Sequence, residues 1–117
     1  MTEPTRIFHN PRCSKSRQAL ELLTGRGIKP DIIRYLDTPP TAPELDILLQ
    51  QLALEPRQLM RRKEPEYKQL ALDNADLSRQ QLIAAMVVNP RLIERPIVQA
   101  NGKAVIGRPP ENVLAIL

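Results

Sequence analysis

Two β-patterned runs enclosing a stretch of helical periodicity dominate the first 36 residues, and they constrain the fold more than any other feature. Thr5 to His9 carries Ile7 and Phe8 and meets Asn10-Pro11, which reads as a short strand ending in a turn. From Ser14 the period changes. Ala19, Leu20, Leu22 and Leu23 fall on one broad helical face, and Gly25 and Gly27 close the helix. Pro30 to Leu36 is a second strand through Ile32, Ile33 and Tyr35. Strand, helix and strand in this order form a βαβ unit, which the handedness rule makes a right-handed crossover.

The rest of the chain is punctuated by proline. Twelve prolines stand singly or in pairs between periodic segments, so they mark boundaries rather than a low-complexity tract. After Thr38-Pro39-Pro40, Thr41 and Glu44 make a capping box ahead of the stripe Leu45, Leu48, Leu49 and Leu52. Pro56 starts a short turn through Leu59 and Met60, and Pro65 opens another with Tyr67, Leu70 and Leu72. Ser78 and Gln81 make a second capping box, Leu82, Ile83, Met86 and Val87 follow on one face, and Asn89-Pro90 stops the helix. Residues from about 41 to 88 are therefore predicted helical.

Ile97-Val98 and Val105-Ile106 flank Asn101-Gly102, a strong hairpin signal because a type I′ turn needs positive φ at both central residues. Gly107-Arg108-Pro109-Pro110 leads into a last short helix with Val113, Leu114 and Leu117 facing inward. The predicted class is α/β, a four-stranded mixed sheet in the order β-α-β, helical insertion, β-hairpin, α. Thioredoxin-like folds carrying a helical insertion share that order. At 117 residues the chain is expected to be one domain, 1–117, with the insertion at about 41–88, since two cores need roughly twice the length.

Composition narrows the chemistry. One cysteine permits no internal disulfide, and with one histidine it makes no four-ligand zinc site. One Phe, two Tyr and no Trp leave little for base stacking. Seventeen Lys and Arg against 13 Asp and Glu leave a net +4, but the cations read as spread along the chain rather than gathered in a nucleic-acid stripe. Twelve of them are Arg, which suits bidentate grip on small oxyanions. No apolar run approaches the ~20 residues of a membrane span, and Met1 to Arg6 is polar where a secretory signal would be apolar. The expectation is a cytoplasmic protein that binds neither nucleic acid nor membrane and holds no metal.

The informative stretch is His9-Asn10-Pro11-Arg12-Cys13-Ser14-Lys15-Ser16-Arg17. It puts the one cysteine where a strand gives way to a helix N-terminus, whose unpaired N–H groups and dipole favour a thiolate. Arg12, Lys15 and Arg17 add positive charge and Asn10 is within reach of the sulfur, so the Cys13 pKa is expected below about 8.5. A lone cysteine is more often a small buried hydrophobe. Here the neighbours are polar and cationic, which favours reactivity. The same place suits an oxyanion, and Arg61, Arg95 and Arg108 are candidates to converge on it. Arg95-Pro96 directly precedes a strand, where thioredoxin-like proteins carry a cis proline.

His9-Asn10-Pro11-x-Cys13, Leu59-Met60-Arg61, Glu94-Arg95-Pro96-Ile97-Val98 and Gly107-Arg108-Pro109 together resemble the landmarks of the glutaredoxin-coupled arsenate reductases, in order over essentially the whole chain. The resemblance implies a thioredoxin-like fold, Cys13 as nucleophile and Arg61, Arg95 and Arg108 as an oxyanion clamp. It implies His9 and Asn10 as neighbours that tune the thiolate, and Ser16 is kept with them as a supporting residue. Arsenate would be reduced to arsenite through a cysteine-thioarsenate adduct. The chain has no second thiol, so an external one must supply the electrons, as glutathione with glutaredoxin does in that family, and no bound cofactor is needed. The best-studied branch has Gly-Thr-Ser-Arg after its cysteine where this chain has Ser14-Lys15-Ser16-Arg17. Two other readings stay open. One is an Spx-like transcription regulator that binds RNA polymerase, although Ser16 leaves no Cys-x-x-Cys switch. The other is a thiol reductase acting on another substrate.

Overall fold

A four-stranded sheet in the order β2-β1-β3-β4 organises the N- and C-terminal parts of the chain in the computed structural model, which describes residues 4–117. β1 (Arg6–Phe8) pairs in parallel with β2 (Asp31–Ile33), Ile7 opposite Ile32, and antiparallel with β3 (Ile97–Ala100), Ile7 opposite Val98. β4 (Lys103–Ile106) completes the sheet beside β3. Between β3 and β4, Asn101 has φ 56° and Gly102 φ 73°, the pair of left-handed residues that the Asn-Gly turn predicts. Both strands of the first βαβ unit are shorter than their apolar runs. Tyr35 lies past the end of β2 in a turn, yet it is buried. Of the polar stretch Met1 to Arg6, the first three residues lie outside the described part.

The chain divides into two compact units, one made of the chain up to Thr38 together with Arg95 onward, the other of Pro39–Glu94. In the first, α1 (Ser14–Gly25) lays Ala19 and Leu23 on Ile7 and Val98 of the sheet and on Val113, with Leu20, Leu22 and Ile28 around them. Ile7, Leu23, Val98 and Val113 leave water completely, and each such aliphatic burial contributes roughly 1.5–3 kcal/mol. The last helix is a 3-10 helix, Pro110–Ile116. Three residues per turn place Pro110, Val113 and Ile116 on one face. Leu117, expected to point inward on a 3.6 period, is therefore exposed.

Gly107 follows β4, where the chain passes close to its neighbours. A Cβ there would stand 2.9 Å from Pro96 Cγ and 3.4 Å from both Ala19 and Val113. A proline ring has little room to yield. Gly107→Ala is expected to destabilise the protein by about 1–3 kcal/mol, read as a lower midpoint in denaturant unfolding.

The regular elements of the second unit are helices joined by turns. Both predicted capping boxes form: Thr41 with Glu44 at the start of α2 (Ala42–Leu52), and Ser78 with Gln81 at the start of α5 (Arg79–Val88). Between them lie α3 (Pro56–Leu59) and α4 (Pro65–Gln69), each opened by its proline. Leu45, Leu48 and Leu49 of α2, Leu59 of α3, and Leu82, Ile83 and Met86 of α5 are buried as the core of this unit. Past α5, a 3-10 turn at Pro90–Leu92 leads to Ile93, which bridges to Met60. Arg61 N–H donates to Leu92 O and Glu94 N–H to Leu59 O, so this bridge holds Arg61 beside Glu94.

Net charge differs between the units. The first holds ten Lys and Arg against five Asp and Glu, the second seven against eight. The basic excess that looked diffuse along the sequence thus belongs to the unit that carries the cysteine.

Candidate active site

Four residues, Asn10 to Cys13, turn the chain from the end of β1 into α1. His9 N–H donates to Ile33 O, which prolongs the pairing of β1 with β2. Asn10 then builds the turn with two carbonyl oxygens: its backbone oxygen accepts from Cys13 N–H and its Oδ1 from Arg12 N–H, each at 3.0 Å. The carboxamide oxygen thus holds the loop backbone, a different use from the predicted contact with sulfur. Arg17 Nη1 donates to Pro11 O and closes the loop from the helix side.

Cys13 is the N-cap of α1, with extended φ −94° and ψ 122°, and its carbonyl accepts the first helical bond from Arg17 N–H. The residue is 8% exposed. What surrounds its sulfur is polar. Arg108 Nη2 lies 3.6 Å from Sγ, and Arg108 Nε donates to Arg95 O at 2.7 Å, so Arg95's backbone steadies the Arg108 guanidinium. Burial pushes the Cys13 pKa up. The N–H of Ser16, the Arg95 side chain through its hydrogen bond and its charge, and the N–H of Lys15 pull it down, and the net shift is downward. The thiol makes no close capping hydrogen bond of its own. The amides of Lys15 and Ser16 therefore act on it as the positive end of α1 rather than as a tight cap. The side chains of Arg12, Lys15 and Arg17, expected to share in this effect, are absent from its causes.

The pH consequence is direct. Thiolate alone alkylates, so the rate of Cys13 alkylation should rise with pH to a plateau whose midpoint lies below the ordinary thiol value of about 8.5. A midpoint above that value, measured with iodoacetamide, would contradict the geometry.

Behind the sulfur, His9 and Ser16 form a buried pair. Ser16 is fully buried, and its Oγ hydrogen-bonds His9 Nδ1 and accepts from Asn10 N–H at 3.0 Å. Burial, then the charges of Arg34 and Arg17, lowers the His9 pKa, so the ring is held neutral. Ser16 consequently ties the end of β1 to the first turn of α1 and fixes the amide that faces Cys13.

Of the residues singled out from sequence, Cys13, Arg95, Arg108, His9, Asn10 and Ser16 lie in the first unit, and the first three meet at the sulfur. Arg61 lies in the second unit, half-buried, 2.7 Å from Glu64 and 4.0 Å from Glu94. The Lys15 and Ser16 amides are the unpaired helix N–H groups that the sequence led us to expect beside the sulfur, since an N-cap side chain lies beside the amides two and three positions on. The peptide bonds Arg95–Pro96 and Arg108–Pro109 are both cis; the sequence raised that isomer at the first alone and left it open there. Among the described residues no group of three or more His, Cys, Asp and Glu gathers where a metal would sit, and no helix is long and apolar enough to cross a membrane.

Comparison with known proteins agrees with this architecture. The ArsC family profile matches residues 8–116. The chain is 53% identical to the "Arsenate reductase" of Neisseria meningitidis serogroup A over 113 residues, which covers 96% of this chain and 97% of that protein. It is 55% identical to protein YfgD of Escherichia coli K12 over 118 residues, covering 100% and 99%. The solved structure titled "Arsenate reductase from Vibrio cholerae" superposes with a TM-score of 0.95 at 53% identity, covering both chains fully. The α/β fold with its mixed sheet is thioredoxin-like, as in these neighbours. By profile, relatives and fold alike, the chain belongs to the ArsC family.

Proposed function

We propose that this protein reduces arsenate to arsenite with Cys13 as nucleophile and with glutathione and glutaredoxin as the source of electrons. The observation that carries the reading is a thiol of lowered pKa at a helix N-terminus with the guanidinium groups of Arg95 and Arg108 at its sulfur. Those groups present donors suited to the oxygens of a tetrahedral anion, and the α1 amides add a partial positive charge. The Leu59-Met60-Arg61 motif supports Arg61 as the third substrate-binding arginine, on the sequence resemblance alone.

The chemistry then follows from the groups present. The thiolate forms a bond to arsenic, and one arsenic–oxygen bond breaks with departure of water, leaving As(V) attached to sulfur. Two external thiols become one disulfide. The electron pair they release takes arsenic to As(III), and hydrolysis of the sulfur–arsenic bond frees arsenite and restores Cys13. The single cysteine imposes this dependence on outside thiols. His9, Asn10 and Ser16 act as positioning residues that hold the loop under the sulfur. In this reading the protein works in the reducing cytoplasm, needs no bound cofactor, and folds as a single domain whose helical insertion spans about 41–88.

The test is turnover. Given arsenate, glutathione, glutaredoxin, glutathione reductase and NADPH, the protein should consume NADPH only when arsenate is present. No arsenate-dependent consumption would remove the assignment.

A further inference from the structure

Two cations beside the thiol have no task in the architecture described so far. The side chains of Arg12 and Lys15, immediately before Cys13 and two residues after it, are exposed and meet no hydrogen-bond or ion-pair partner among the described residues. Their neighbours differ. Arg17 is anchored to Pro11 O, Arg34 faces Asp37 at 3.8 Å, and Arg108 is held on Arg95 O. Nor do Arg12 and Lys15 side chains set the acidity of Cys13, which comes from the Ser16 and Lys15 amides and from Arg95. From His9 to Arg17 there is no acidic residue, and this unit carries the whole basic excess of the protein. Exposed cations flanking a reacting atom raise the local concentration of an anionic reactant and speed its encounter.

What must come to this rim is a thiol, because the chain has only one. We propose that Arg12 and Lys15 form the subsite that receives the carboxylates of glutathione as its sulfur approaches Cys13. The proposal deepens the reductase reading and names the site of its small thiol co-substrate. Arg95 and Arg108 face the sulfur and serve the oxyanion, so the flanking pair is left for the reductant. Glutathione carries carboxylates on both ends of its backbone, with the cysteine between them. The two cations stand on either side of Cys13, Arg12 in the loop and Lys15 in the first turn of α1, and match that arrangement in sign.

The test needs no arsenate, so its outcome is separable from that of the reductase assignment. Cys13 thiolate attacks glutathione disulfide: one sulfur–sulfur bond forms as another breaks, a glutathione thiolate leaves, and the mixed disulfide is counted by intact-protein mass spectrometry. Hydroxyethyl disulfide, which is uncharged, serves as the comparison, and iodoacetamide reports the thiolate. For R12Q/K15Q at low ionic strength the exchange rate with glutathione disulfide should fall about 10-fold, while rates with both neutral reagents stay within about twofold of the original. Added salt should slow the original protein with glutathione disulfide and leave the variant nearly unaffected. Equal losses with charged and neutral disulfides, or no loss with either, would overturn the proposal. If the charged-reagent loss is seen but arsenate turnover is absent, the subsite stands and the arsenate assignment falls.

Discussion

Cys13→Ser is expected to abolish arsenate-dependent NADPH oxidation, with a fall of at least about 1,000-fold in kcat, the scale on which nucleophile removal acts in covalent catalysis. A serine hydroxyl at this N-cap stays protonated at neutral pH, because the helix amides and Arg95 lower a thiol into reach but leave an alcohol far from ionising. Oxygen also bonds arsenic without offering sulfur's ready exchange with thiols. The fold should not suffer, since serine is a preferred N-cap and its Oγ can accept from the amides of Lys15 and Ser16. The thermal midpoint is therefore expected to hold or rise while activity disappears. Residual turnover within about 10-fold of the original would mean that sulfur is not the nucleophile.

The second large effect separates two jobs that arginine does here. Arg95→Ala removes both a hydrogen bond and a charge from the Cys13 thiolate. Its alkylation midpoint should move up toward the ordinary thiol value, and kcat/KM for arsenate should drop by at least ~10-fold, or ~1.4 kcal/mol. Arg61 is absent from the causes of the Cys13 shift. Arg61→Ala is therefore expected to cut kcat/KM by a similar factor and leave the alkylation profile where it was. Unchanged kinetics in both variants would place the clamp elsewhere. A moved alkylation profile in Arg61→Ala would show that it tunes the thiol as well.

Much of the architecture was legible because the relevant physics is local. A capping box satisfies helix N–H groups with side chains three residues away, so Thr41–Glu44 and Ser78–Gln81 announce α2 and α5 without help from the rest of the fold. Asn101-Gly102 tolerates the left-handed turn that its hairpin needs, and Asn10-Pro11 ends β1. The last helix was misread in period. Whether Leu117 or Ile116 turns inward depends on how that short segment packs against α1 and the sheet, and a 3-10 winding, rather than the apolar pattern, sets the face. The net charge of each unit was hidden for a similar reason. Cations distant along the chain, Arg95, Lys103 and Arg108, are gathered with the N-terminal ones once β3 and β4 join the sheet.

The amino-acid order alone pointed to the kind of chemistry: a single sulfur, no second thiol beside it in the chain, and a helix about to start next to it. Those are matters of inventory and of neighbours within a few residues. Which groups act on that sulfur was decided by long-range folding. Arg108, far along the chain from Cys13, reaches it because β3 and β4 are paired and Arg95's carbonyl fixes its guanidinium. Arg12, its immediate neighbour, is exposed instead. Charge acts through distance in space, and a chain that closes into a sheet makes remote residues nearer than adjacent ones.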